Sequence, residues 1–133
     1  MNKYIVTIDG PAASGKERIA KYISKKWKLK HLDSGTLYRR LAFIFLSYKV
    51  DVKNIDQVEK KISQITSISY RKSKKIRTQQ ISKIASQIAV YNCVREFINN
   101  LQYQFVNKNK KNQGFVIDGR DIGSIVFKKA NLK

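Results

Sequence analysis

Seven residues near the start of the chain, Gly10-Pro11-Ala12-Ala13-Ser14-Gly15-Lys16, fit the pattern G-x-x-x-x-G-K. The pattern constrains the fold strongly because it works in one setting, with a strand before it and a helix after it. Both flanks are present. Tyr4-Ile5-Val6-Thr7-Ile8 is β-branched and aromatic, and residues 3–9 are expected to form a short buried strand. After the loop at 10–15, Ile19, Tyr22, Ile23 and Trp27 recur at helical spacing. The physical logic is anion binding. Glycines let backbone N–H groups curl around phosphate oxygens, and the following helix presents its positive N-terminal end. Lys16 adds a mobile point charge for the β and γ phosphates. A glycine-rich turn that binds nothing would share the pattern but would need neither flank.

The residues after Lys16 depart from the pattern. Glu17 stands where a Ser or Thr would offer a hydroxyl to Mg²⁺ or phosphate, and Arg18 follows it. A carboxylate about 6 Å from a phosphate costs about 3 kcal/mol per unit charge at an effective dielectric of about 20. Arg18 offsets part of that if it faces the ligand. If Glu17 points outward instead, it simply favours the helix N-terminus.

A chain of 133 residues suggests a single domain, and 42% apolar residues are enough for a folded core. No apolar run approaches the roughly 20 residues of a membrane span. Met1-Asn2-Lys3 runs straight into the first strand, so no signal peptide is expected, and a cytoplasmic setting is. Cys93 is the one cysteine and reads as a spectator thiol in a reducing compartment. The formal net charge is +19, from 28 Lys and Arg against 9 Asp and Glu. Such a surface suits anionic partners. The chain is also rich in Lys, Asn and Ile, which AT-rich codons favour, so the excess is read first as compositional. Arg71-Lys72-Ser73-Lys74-Lys75 and the lysines of 108–111 read as solvated loops, since no aromatic platform accompanies them to stack nucleic-acid bases.

Along the chain, residues 29–32 read as a second strand ended by Asp33-Ser34-Gly35. A helix with Leu37, Leu41, Ile44 and Tyr48 follows, then a short amphipathic one with Ile55, Val58, Ile62 and Ile65, where Asn54 and Gln57 resemble a capping pair. Residues 67–75 are polar, basic and loop-like. Two further helices carry Ile81, Ile84, Ala85 and Ile88, then Val94, Phe97, Ile98, Leu101 and Phe105. After a charged loop at 107–113, Phe115-Val116-Ile117 is another buried strand, leading into Asp118-Gly119-Arg120-Asp121. This order points to an α/β fold with a parallel sheet and crossover helices. Trp27, on the apolar stripe of its helix, is expected in the core. The lone His31 is expected to be structural or on the surface.

Several polar blocks fall where such a fold binds ligands. Asp33-Ser34-Gly35-Thr36-Leu37-Tyr38-Arg39 places a polar turn at a strand's end and an arginine one helical turn further on. Ile76-Arg77-Thr78-Gln79, Ala85-Ser86-Gln87 and Val94-Arg95-Glu96 carry polar groups on consecutive helices. Asp118-Gly119-Arg120-Asp121 puts charges at the carboxyl end of a strand, where ligands bind in open α/β sheets. These blocks, with Asp9-Gly10-Pro11 and Gly15-Lys16, resemble in order and over most of the chain those of the cytidylate kinases, a family of P-loop nucleoside monophosphate kinases.

The resemblance implies ATP-dependent phosphorylation of CMP or dCMP, with Mg²⁺. Residues 10–18 (Gly10, Pro11, Ala12, Ala13, Ser14, Gly15, Lys16, Glu17 and Arg18) would cradle ATP. Ser34, Arg39 and Arg120 would hold the monophosphate, and Ser86, Arg95 and Asp121 would read cytosine. That last assignment is chemically apt, because a carboxylate accepts from the exocyclic amine while Arg and Ser donate to ring nitrogen and carbonyl. Lys16, Asp118 and Arg120 would serve catalysis. Asp118 would act as a Walker-B-like acid holding Mg²⁺ through water, and no residue is expected to ligate the metal directly. The expected fold is thus a P-loop NTPase-type sheet in one partial domain, 1–133, with about 50–105 as a helical monophosphate-binding insert. The resemblance implies a further strand, an arginine-bearing lid, a final strand and a last helix beyond Ala130-Asn131-Leu132-Lys133. The stretch from Ile65 to Ile76 is also shorter than the family's. Without lid arginines the chain is expected to be a very poor kinase, since such charges contribute a factor of roughly 10³ to 10⁵. A lid-supplying partner, self-association through an open sheet edge, or a nucleotide-binding remnant follow as expectations.

Overall fold

The computed structural model describes residues 4–11, 14–109 and 114–133. The chain divides into two compact units, one of residues 1–34 and 102–133, the other of residues 35–101.

The first unit is built on three parallel strands. β1 (Tyr4–Asp9) pairs with β3 (Gly114–Gly119), which pairs with β2 (Lys30–Asp33), so the order is β1-β3-β2. The register sets Asp9 opposite Gly119 and Asp33 opposite Asp118, so all three carboxyl ends lie together. Phe115, Val116 and Ile117 are fully buried, as the unbroken apolar run of a central parallel strand requires. α1 (Lys16–Trp27) crosses between β1 and β2 and packs on the sheet through Ala20, which joins Val6 and Val116 in a core flanked by Ile8, Ile23 and Leu29. Phe105 meets Phe115 edge to face, with ring centroids 5.8 Å apart. A single π-type turn, Ile122–Val126, follows β3. On the outer edge of β1, Leu132 makes an isolated parallel bridge to Val6, and Thr7 N–H donates to the Leu132 carbonyl at 2.9 Å.

The apolar stripe of α1 corrects the sequence expectation. Trp27 is 57% exposed, and Tyr22 and Ile19 are exposed with it. β1 is an edge strand, and of α1 it is Ala20 that is buried against the sheet, with Ile23 partly buried beside it. Ile19, Tyr22 and Trp27 instead line a groove of about 920 Å³ with Tyr4, Leu29 and Leu132, and Lys26 Nζ lies 4.8 Å from the Trp27 ring centroid.

The second unit is helical. It holds α2 (Ser34–Ser47) from Gly35 onward, α3 (Ile55–Gln64), α4 (Gln79–Ile88) and α5 (Asn92–Lys108) as far as Leu101, with one 3₁₀ turn at Lys74–Ile76. Of the expected stripes Leu37, Leu41, Val58, Ile81, Ile88, Val94 and Ile98 are buried, joined by Phe45 and Ile76, whereas Tyr48 and Ile55 are exposed. Asn54 caps α3 by accepting from Asp56 and Gln57 N–H, and Thr78 caps α4 by accepting from Ile81 N–H at 3.1 Å. Gln57 does not complete a capping box with Asn54; its Oε1 accepts from Asp51 N–H. Tyr70 donates its hydroxyl to the Leu101 carbonyl on α5, and Tyr91 donates to the Val52 carbonyl, tying two loops together. No helix among the described residues is long and apolar enough to cross a membrane.

Candidate nucleotide site

Parallel strands deliver their carboxyl ends to one side, and the first unit gathers there the loop at 10–15, Ser34 and the turn Asp118-Gly119-Arg120-Asp121. Gly10 N–H donates to the Gly119 carbonyl at 3.0 Å, joining two of these segments directly. Ala12 and Ala13 lie outside the described residues. Gly15 caps α1 at φ 90°, a conformation few side chains tolerate, and its carbonyl accepts the first helical bond, from Ile19 N–H. Lys16 begins α1 and folds back so that its ammonium donates to the Pro11 carbonyl at 3.2 Å, across the loop. A left-handed glycine, a helix N-terminus and an ammonium over the loop are the parts of a phosphate cradle, and the residues present fit the triphosphate of ATP. Glu17, in the first turn, lies 3.5 Å from Lys21 one turn along, and Arg18 is exposed.

Asp118 is 1% exposed at the end of the central strand. One carboxylate oxygen lies 2.5 Å from His31 Nε2, on β2, while the other is buried without a hydrogen-bond partner. An ionised Asp118 makes Nε2 the donor nitrogen of His31. Burying an unsatisfied carboxylate oxygen is costly, and a water on a divalent cation would relieve it, so Asp118 fits the role of holding hydrated Mg²⁺. The partner of the lone histidine is what sequence reasoning did not supply. That pairing depends on β2 lying beside β3, which no local pattern specifies.

Ser34 is the first residue of α2 and is buried. Gly119 faces it so closely that a Cβ there would run into Ser34 Oγ, which explains the glycine. Arg120 and Asp121 are exposed, and Asp121 adopts φ 56°. In the second unit, Arg39 on α2 is half-buried, whereas Ser86 on α4 and Arg95 on α5 are exposed, with Arg95 Nη2 donating to Asn92 Oδ1 at 2.5 Å. Cys93 is half-buried, and burial pushes its thiol above the usual range, with Glu59 adding to the effect. A protonated thiol is a poor nucleophile, which suits a spectator. No cluster of three or more metal-ligating side chains occurs among the described residues.

Comparison with known proteins agrees with this geometry. Residues 6–133 match the family model described as cytidylate kinase. A cytidylate kinase of Rickettsia africae is 38% identical over 130 residues, covering 98% of this chain and 57% of that protein. One from Fusobacterium nucleatum is 34% identical over 143 aligned positions, covering 100% and 63%. A bifunctional pantoate ligase/cytidylate kinase of Prochlorococcus marinus is 36% identical, covering 97% of this chain and 27% of that protein. The chain thus spans little more than half the length of the curated cytidylate kinases it matches.

Proposed function

The chain belongs to the cytidylate kinase family, and from that premise we propose that it serves the ATP-dependent phosphorylation of CMP or dCMP to the diphosphate. The observation that carries the proposal is the meeting of the glycine-bearing loop, Ser34 and the 118–121 turn at the carboxyl ends of one parallel sheet. Residues 10–18 hold the ATP phosphates, with Lys16 as the mobile charge. Asp118 holds hydrated Mg²⁺ there. Bound MgATP supplies the phosphoryl group to be transferred. Ser34, Arg39 and Arg120 hold the monophosphate, and Arg120 also neutralises charge on the group in flight. Ser86, Arg95 and Asp121 read cytosine, within or beside a helical insert of about 50–105. The work of the residues is positioning and charge neutralisation, which is most of what phosphoryl transfer asks of a protein. The setting is cytoplasmic pyrimidine nucleotide metabolism.

Incubation with γ-labelled MgATP and CMP tests this. Labelled CDP should accumulate, traces included, and Lys16→Ala should abolish it. No CDP, or CDP formation indifferent to Lys16→Ala, would contradict the proposal.

A further inference from the structure

Asp9 ends β1 immediately before the phosphate loop, yet its carboxylate is turned toward a different segment. Oδ1 accepts from Ile122 N–H at 2.6 Å and Oδ2 from Gly123 N–H at 3.0 Å. Both oxygens are thus spent on consecutive amides at the start of the π-type turn, in charge-assisted bonds. We infer that Asp9 is a positioning residue, whose carboxylate fixes the Arg120–Asp121 turn and thereby sets the cytosine selectivity assigned to Asp121. The inference rests on the cytidylate kinase reading.

Three observations support it. Asp121 sits at φ 56°, in the left-handed region that few residues with a Cβ adopt and that Asp tolerates better than most, so the turn needs a defined backbone there. Asp121 accepts from Ser124 Oγ at 3.5 Å but caps none of the turn's amides, so the carboxylate that caps Ile122 and Gly123 N–H is the one supplied from β1. The turn is also pinned at both ends against β1. The Gly119 carbonyl accepts from Gly10 N–H, and a Cβ on Gly123 would come within 2.6 Å of Thr7 Oγ1. Arg120 and Asp121 are the two exposed residues between these pins. One carboxylate therefore fastens the base-reading turn to the strand that opens into the ATP loop.

Calorimetry on the whole chain tests this with wild type, Asp9→Asn, Asp121→Ala and the double variant. Asparagine keeps the shape and one acceptor but sets an NH₂ group against the second amide. Asp9→Asn should cut the preference for CMP over UMP by about tenfold, the scale of losing a charged hydrogen bond, and leave MgATP binding no weaker. The double variant should lose no more selectivity than Asp121→Ala alone. A preference that survives in Asp9→Asn, or losses that add, would overturn the inference and leave the kinase reading standing. A wild-type chain without any CMP preference would overturn both. Should Asp9→Asn not fold, wild-type NMR decides: CMP should shift the Ile122 and Gly123 amide resonances, and unmoved resonances would overturn the inference.

Discussion

Glu17 occupies the position at which a phosphate loop ordinarily offers a hydroxyl, and its consequences depend on where its charge goes. Lys21, 3.5 Å away, takes up part of it, and the side chain is 31% exposed, so solvent screens more. What remains still lies one residue from Lys16 at the loop. Glu17→Thr removes the charge and supplies a hydroxyl, and MgATP should bind about tenfold tighter at low salt if half the Coulomb cost survives. Titration calorimetry at two ionic strengths should show the gain shrinking as salt rises. An unchanged affinity would mean that Lys21 and water absorb the whole charge. At this scale the sequence announced Lys16, Glu17, Ser34, Asp118 and Asp121 as residue types in a recognisable order. It did not announce the His31–Asp118 contact or the reach of Asp9 to Ile122, because each depends on which strand lies beside which.

Among the elements, α1 and α5 separate two meanings of an apolar stripe. On α5, Ile98 is fully buried, whereas on α1 Trp27 is 57% exposed. Ile98→Ala should therefore cost about 2–5 kcal/mol, the loss of a packed side chain and the cavity left behind. Trp27→Ala should change stability by about 1 kcal/mol or less. Urea denaturation midpoints measure both, and the reverse ranking would place Trp27 in the core after all. Helix existence and type were legible from 3.6-residue periodicity, and β1 and β3 from β-branched runs, because both signals are local. The cap at Asn54 was legible for the same reason, while the partner of Gln57 and the cap at Thr78 were not. The sheet order was not legible either, since nothing in the spacing says that β3, last in sequence, inserts between β1 and β2. Periodicity likewise cannot say whether a stripe meets another element, and this is why the stripe of α1 does not mark the core.

For the molecule as a whole, a formal charge of +19 favours any polyanion, so binding of a nucleotide means little until it discriminates between bases. A phosphate cradle alone would take CMP, UMP and AMP alike, whereas the cytosine-reading role proposed for Asp121, with Ser86 and Arg95, requires a preference for CMP. Nonspecific attraction should fall steeply with salt, but a preference among monophosphates of equal charge should persist. The most direct measurement is therefore calorimetric titration of the chain with CMP, UMP and AMP at low and at physiological ionic strength, repeated with Asp121→Ala. CMP should bind tightest at both salt concentrations, with Asp121→Ala erasing the preference. Equal affinities for the three nucleotides, or RNA bound as strongly with a steep salt dependence, would contradict the assignment of a cytosine nucleotide site.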